Sequence, residues 1–346
     1  MLLINIFLIL EILFLSILSK MKHEYQRFFP WIIMFSLAFV LGIRYNVGMD
    51  YKVYEEAFNN PYSWHRAAIE PIWLNFMDFL RFISFKARIF FFLTSLFFVY
   101  GYYVGFKRLS PNIYLSFIIF IVIDTFGEGA NTIRQSCAQA LLFAGTNNFL
   151  ERKWKKFLPF AIGAIVLHLS AVMGLGLMFL SRIRLKQSIL YILLFSSLIL
   201  GPWLMSRMLD LIMAAVLILG KYNYTPDSFD PGVSTGTLKY VYTLAGLTII
   251  YLFHTTKSFS YPKWIYVLVN MVVWGVIIYN IFYTFLPVNR LNRYCFPYIT
   301  ILLPILCVKI KRPSRYIIEG CILGCFLLFM VKALSNSTYN FDFYFI

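Results

Sequence analysis

The chain has 346 residues, 60% of them hydrophobic and 13% charged, with a mean hydropathy of +0.74. That balance excludes a soluble enzyme, because soluble domains carry about 25% charged residues, and it supplies apolar sequence for about ten bilayer crossings of ~20 residues each. The net charge of +16 sits mostly in short runs between apolar stretches, where Lys and Arg set membrane orientation, so it points to a membrane protein and away from nucleic-acid binding.

Apolar runs occupy residues 2 to 19, 30 to 43, 87 to 105, 113 to 124, 136 to 150, 157 to 180, 189 to 205, 208 to 219, 239 to 253, 264 to 286, 295 to 308 and 316 to 334. The expected fold is all-α, a single polytopic transmembrane domain over 1–346 with about 10–12 transmembrane or re-entrant helices. Residues 2 to 19 read as the first span and not as a signal peptide, because the basic cluster follows the apolar run and no A-x-A-like site is present. Basic loops at Lys20, Lys22 and Arg27, at Lys107 and Arg108, at Arg152 to Lys156, and at Lys309 to Arg315 are expected in the cytoplasm. Segments 44 to 86, 125 to 135, 220 to 238 and 287 to 294 then face outside. Within the first of these, 63 to 83 places Ile69, Ile72, Trp73, Phe76, Phe79, Leu80 and Ile83 at helical spacing, which predicts an outer interfacial amphipathic helix with its apolar face down. Residues 157 to 180 strain the scheme, since Arg182, Arg184 and Lys186 follow them. Either the segment breaks at His168 and returns as a hairpin, or it crosses fully and 208 to 219 adds a compensating span. No inverted repeat is visible, which counts against a secondary transporter.

Ionisable residues near a bilayer are functional candidates by default because burying them is costly. In LGIRYNVGMDYKVY, Arg44 and Asp50 flank Gly48, with Tyr45, Tyr51 and Tyr54 alongside; composition alone also allows an interfacial arginine in a tyrosine belt. Glu70 precedes Pro71, which suits an acid at a helix start. FGEGANTIRQ reads as a glycine-rich turn feeding a helix N-terminus with Arg134 in its first turn, a setting for an anion such as phosphate; the plainer alternative is a flexible loop with a snorkelling arginine. His168 and Ser170 interrupt an apolar run, as a base, an anion ligand or a packing pair. Arg290 and Arg293 open a late span from the outer side, against the orientation bias, as expected if they bind something negative. Cys137, Cys295, Cys307, Cys321 and Cys325 lack metal-ligand spacing and read as helix-packing residues. Walker A, GxSxG, HExxH and loop DxD patterns are missing, so neither a metal nor another cofactor is expected.

Taken together these motifs resemble the EpsG family of polysaccharide polymerases, relatives of the Wzy-type O-antigen polymerases. RYNVGMDYKVY is similar to that family's R-x-x-x-G-x-D-Y-x-x-Y signature, and Glu70, the IRQ-x-x-A element running from Arg134 to Ala138, H-x-S at His168 and Ser170, and R-Y at Arg293 and Tyr294 follow in the family's order. The resemblance covers nearly the whole chain. It implies a multi-pass enzyme of the bacterial cytoplasmic (inner) membrane that joins undecaprenyl-diphosphate-linked oligosaccharide repeats on the outer face, for O-antigen of lipopolysaccharide, capsule or exopolysaccharide. Its donor and acceptor are lipid-linked glycans, its surroundings are membrane lipid, and a chain-length regulator protein is an expected partner. Residue by residue the resemblance carries over Arg44, Asp50, Tyr54, Glu70, Arg134, His168 and Arg293. Because a lipid diphosphate is already a good leaving group, Arg44, Arg134 and Arg293 with Tyr54 are expected to hold it, and one of Asp50, Glu70 and His168 to assist the acceptor hydroxyl. The alternatives are a flippase for the lipid-linked repeat, an O-antigen ligase or related lipid-dependent glycosyltransferase, and an O-acetyltransferase. Polar residues gathered at one side of the membrane favour an enzyme over a transport path.

Overall fold

The computed structural model describes residues 2–18, 20, 29–48, 50–123, 125–219, 237–256, 261–310, 320 and 342–343. Nearly all are helical: α1 (Leu2–Leu18), α2 (Phe29–Gly42), α3 (Tyr51–Asn59), α4 (Pro71–Phe82), α5 (Ala87–Leu109), α6 (Ile113–Val122), α7 (Thr125–Asn131), α8 (Ile133–Leu150), α9 (Trp154–Leu167), α10 (Ala171–Leu180), α11 (Gln187–Leu219), α12 (Thr237–Thr255), α13 (Ile265–Phe282), α14 (Leu286–Asn289) and α15 (Ile299–Lys309). Of the expected outer segment 220 to 238, only the last two residues, which open α12, are described. Lys22, Arg27, Lys311, Arg312, Arg315 and the run 316 to 334 except Gly320 also lie outside the described residues.

Four described stretches are long and apolar enough to cross a membrane: Ala87–Leu109, Gln187–Met208, Ile265–Phe282 and Arg290–Lys309. Ile113–Val122 and Thr125–Asn131 make a fifth if they form one span broken by a 55° bend, and Phe29–Gly42 and Ala171–Leu180 are shorter apolar helices. The protein is therefore an all-α polytopic membrane protein. Its described residues fall into two compact units, one within Met1–Val172 and Ile310–Ile346, the other within Met173–Lys309.

In the first unit α5 packs between α2 and α8, and α8 packs on α9. Close approach of α5 to α8 follows from its glycines: a Cβ on Gly101 would sit 2.8 Å from the Ala140 carbonyl oxygen, and one on Gly105 would run into the Phe143 ring. Small residues let membrane helices meet in this way. Around them the Tyr102 ring lies 4.6 Å from that of Phe120 and 4.7 Å from that of Phe143, with Phe106 and Phe117 at 5.2 Å.

The structure differs from the sequence reading at FGEGANTIRQ. Gly127 and Gly129 lie inside α7, not in a turn, and the chain breaks only at Thr132 (φ −126°, ψ 62°) before α8 begins. Gly129 is there for packing, since a Cβ would meet the Phe98 ring at 2.5 Å. The Thr132 N–H still donates to the Glu128 carbonyl at 3.0 Å, and the Thr132 and Ser136 hydroxyls donate to the same oxygen.

The second unit is tied by buried amides. Asn280 of α13 donates to Ser197 Oγ on α11 at 3.0 Å and to Thr243 Oγ1 on α12 at 2.9 Å. Asn270 donates to the carbonyls of Ser181 and Ile183 at 2.9 and 2.8 Å. Such bonds act as glue where apolar packing alone does not set register.

Candidate active site

The segment between α2 and α5 builds one wall of the site. Gly48 adopts φ +94°, and a Cβ there would lie 2.6 Å from the Ala130 carbonyl oxygen of α7. Both the left-handed backbone and the close approach demand glycine. The turn that results starts α3 at Tyr51, which buries Tyr51, Tyr54, Ala57 and Phe58 along one side. Replacing Gly48 with alanine is expected to cost about 1–3 kcal/mol of stability, read as a lower unfolding midpoint of the detergent-solubilised protein; an unchanged midpoint would mean that α7 yields without penalty.

After α3 the chain forms a short 3-10 helix, Trp64–Ala68, then α4. Pro71 at the first position of α4 suits the fixed φ of proline and removes an N–H that would lack a partner there. Glu70 is the N-cap residue of that helix, and its carboxylate turns to the core of the site instead of capping the backbone. Arg66 and Arg81 both bind Asp78, at 2.6 and 2.9 Å, and donate to the α3 carbonyls of Ala57 and Phe58. This network locks α4 to α3. On α4, Trp73, Met77 and Leu80 are buried in the protein, while Ile72, Phe79 and Phe82 are exposed. The interfacial-helix expectation put Ile72, Trp73, Phe79 and Leu80 on one apolar face turned down to the membrane; in the structure Trp73 and Leu80 pack against the protein and Ile72 and Phe79 are exposed.

Trp73 fixes the opposite wall. Its indole N–H donates to the Leu167 carbonyl at 2.8 Å, at the last residue of α9. His168 follows in an extended conformation (φ −161°, ψ 123°) and ends the helix, so the apolar run 157 to 180 does break at His168. There Nδ1 of His168 lies 2.8 Å from Glu70 Oε1. The other Glu70 oxygen takes a very short bond from Arg134 Nη1, which also donates to the Ala68 carbonyl at 2.7 Å. Arg134 Nε donates to the Tyr54 hydroxyl at 2.9 Å. Tyr54, Glu70, Arg134 and His168 are thus one connected cluster from four separate elements.

Electrostatics give the cluster a direction. Burial acts to raise the Glu70 carboxyl, but the hydrogen bonds and charge supplied by His168 and Arg134 outweigh it and hold the group below the usual glutamate range. Burial pushes the Tyr54 phenol up, so it meets Arg134 as a neutral acceptor. An ionised carboxylate only accepts hydrogen bonds, so the His168 nitrogen facing Glu70 must carry a hydrogen. In the neutral ring the lone pair then sits on Nε2.

The other motif residues lie differently. Arg44 is 1% exposed. Its Nη1 donates to the Leu41 carbonyl at the end of α2 and to Ser95 Oγ at 3.1 Å on α5, its guanidinium lies 5.1 Å from the Phe91 ring centre, and Nε and Nη2 have no hydrogen-bond partner among the described residues. Burial pulls its pKa down to about 10, which still leaves the group charged at neutral pH. It stands behind the cluster: Phe91 stacks on Tyr51 at 4.4 Å, one turn of α3 before Tyr54. Asp50 is half-buried at the start of α3 without capping it through its side chain. Arg293 is half-buried on the short helix Arg290–Tyr294 of the second unit. Sequence reasoning missed Trp73, Ala68 and the Arg66–Asp78–Arg81 network as supports; the Asp78–Arg81 spacing was legible, whereas Arg66 and the Leu167 carbonyl are reached only through the fold.

A sequence-family comparison with the EpsG family matches residues 27–345, nearly the whole chain. The chain belongs to the EpsG family. No curated protein and no solved structure matches it. Of the positions that carry the EpsG resemblance, Tyr54, Arg134, Glu70 and His168 form one chain of contacts in this member, and Gly48 shapes the turn that delivers the first of them.

Proposed function

We propose that this EpsG-family protein is a polysaccharide polymerase that joins lipid-diphosphate-linked oligosaccharide repeats on the outer face of the bacterial cytoplasmic membrane, without a metal ion. The observation that carries the reading is the Glu70–His168 contact with Arg134 on the other carboxylate oxygen. The carboxylate orients the imidazole so that Nε2 takes the proton of the acceptor hydroxyl. The hydroxyl oxygen then attacks the anomeric carbon of the donor, and the bond from that carbon to the lipid diphosphate breaks, the electron pair leaving with the diphosphate. Arg134 Nη2, which makes no hydrogen bond among the described residues, donates to the departing phosphate oxygens, where charge builds up. Tyr54 and the Ala68 carbonyl hold the guanidinium in place for that task. In this reading Glu70 is a positioning residue, His168 the base and Arg134 the leaving-group cation.

The test is deletion of the gene in its native host, followed by localisation of lipid-linked glycan with an impermeant oxidant of sugar diols. The polymerase reading expects single repeats to accumulate on the outer leaflet and long chains to vanish. Accumulation on the inner leaflet would make the protein a flippase instead, and persistence of long chains would remove it from repeat joining altogether.

A further inference from the structure

Two exposed aromatic side chains stand at the start of the 3-10 helix that ends on the Arg134 contact, Tyr62 just before its N-cap Ser63 and Trp64 at its first position. Tyr62 is 94% exposed and Trp64 76% exposed. Neither is loose at its base. Tyr62 N–H donates to Asn60 Oδ1 at 3.0 Å, and Ser63, itself buried, takes the His65 N–H at 3.3 Å and gives its hydroxyl to Glu56 Oε1 at 3.1 Å. The His65 ring backs one face of Trp64 with centroids 3.8 Å apart, and its Nε2 lies 3.3 Å from Glu56 Oε2. Most of Trp64 nevertheless stays exposed, and the Glu56 side chain that holds His65 is itself half exposed. Each Glu56 oxygen uses one lone pair in these contacts and keeps one.

From the geometry we infer that Trp64, Tyr62 and Glu56 form a subsite for the sugar rings of the glycan next to the reacting unit. This rests on the polymerase reading. The C–H faces of a pyranose carry partial positive charge and stack on the negative face of an aromatic ring, and a carboxylate accepts vicinal hydroxyls. From Trp64 to Ala68 the 3-10 helix rises about 8 Å, and the Ala68 carbonyl touches Arg134; the platform therefore lies within reach of a disaccharide from the reacting bond. The Glu56 carboxylate, tied to Ser63 and His65 on either side of Trp64, selects neutral or amino sugars over uronates. The same carboxylate argues against a lipid anchor, since the apolar stripe of Ile72, Phe79 and Phe82 on α4 has no carboxylate among its own side chains and suits lipid better.

The experiment uses the full-length protein in nanodiscs with an oligosaccharide cut from the host's own polymer, read by saturation transfer from protein to sugar protons, alongside polymer length in cells. Trp64→Phe is expected to keep binding and chain length. Trp64→Leu and Trp64→Ala are expected to bind about 2- to 10-fold more weakly, the worth of one aromatic contact, and to shift the polymer towards short chains at normal membrane abundance. If Trp64→Leu behaves as wild type while Trp64→Ala does not, the residue is a membrane anchor and the subsite is wrong; wild-type behaviour of all three also overturns it. Wild-type protein that binds the oligosaccharide in a host whose chain length does not depend on the gene would keep the subsite and remove the polymerase reading.

Discussion

Arg134→Ala is expected to abolish long chains and leave single repeats. The guanidinium joins Glu70, Tyr54 and the Ala68 carbonyl, and about a fifth of its side chain and of its partner's is exposed. A hydrogen bond from a charged group is worth about 1.5–3 kcal/mol, so losing one that strengthens as the diphosphate departs slows the reaction roughly 10- to 150-fold. Stability falls too, by about 3 kcal/mol or less, below the range for fully buried pairs because both groups keep some water contact. Arg134→Lys separates the two effects. It retains charge near Glu70, and with it insertion and abundance, but one ammonium cannot reach Glu70, Tyr54 and a phosphate together, so its chains should remain short. Glycan ladders from cells with matched membrane abundance provide the measurement. Wild-type ladders from Arg134→Ala at normal abundance would reduce the residue to a structural anchor.

Removing the proposed base should cost more. His168→Ala is expected to lower the rate about 10²- to 10⁴-fold, the usual contribution of a positioned general base. Glu70→Gln keeps the size of the side chain but turns one acceptor oxygen into an NH2 donor, so it can accept from His168 or from Arg134 but not from both and no longer dictates which imidazole nitrogen holds the hydrogen; it should be strongly impaired while the protein stays folded. The two losses should not add, because both residues serve one proton transfer; a double variant much slower than His168→Ala would mean that they act separately. Glu70 also makes a pH prediction. Its carboxyl is held below the ordinary range, about 4.3 for an unperturbed glutamate, so the stability it contributes is fully present above that value and is lost as pH falls through the lower folded value. Below that point the unfolding midpoints of wild type and Glu70→Gln should converge, and a gap that persisted in acid would mean that the carboxylate charge is not what stabilises the cluster.

Membrane character, helical class, family and the turn at Gly48 were legible in the amino-acid sequence. Hydropathy over ~20 residues is a local property, and Gly48 between Arg44 and Asp50 signals a turn by its own steric freedom, whereas the break at His168 was one of two alternatives that the sequence left open and the structure decided. Which motif residues meet was decided by tertiary structure. Arg44 and Arg134 look alike in sequence, yet one is sealed between α2 and α5 on Leu41 and Ser95, and the other stands at the head of α8 facing Glu70. The α7 glycines read as a turn, yet they lie within a helix, and Gly129 serves packing there because the Phe98 ring occupies the place of a side chain. Glu70 and His168 are 98 residues apart, and they touch because the Trp73 indole bonds the end of α9 while the Arg66–Asp78–Arg81 network holds α4 in place. Pattern and spacing report what a segment prefers by itself, whereas the direction of a buried charge is set by the partners that repay its desolvation, and those come from other helices.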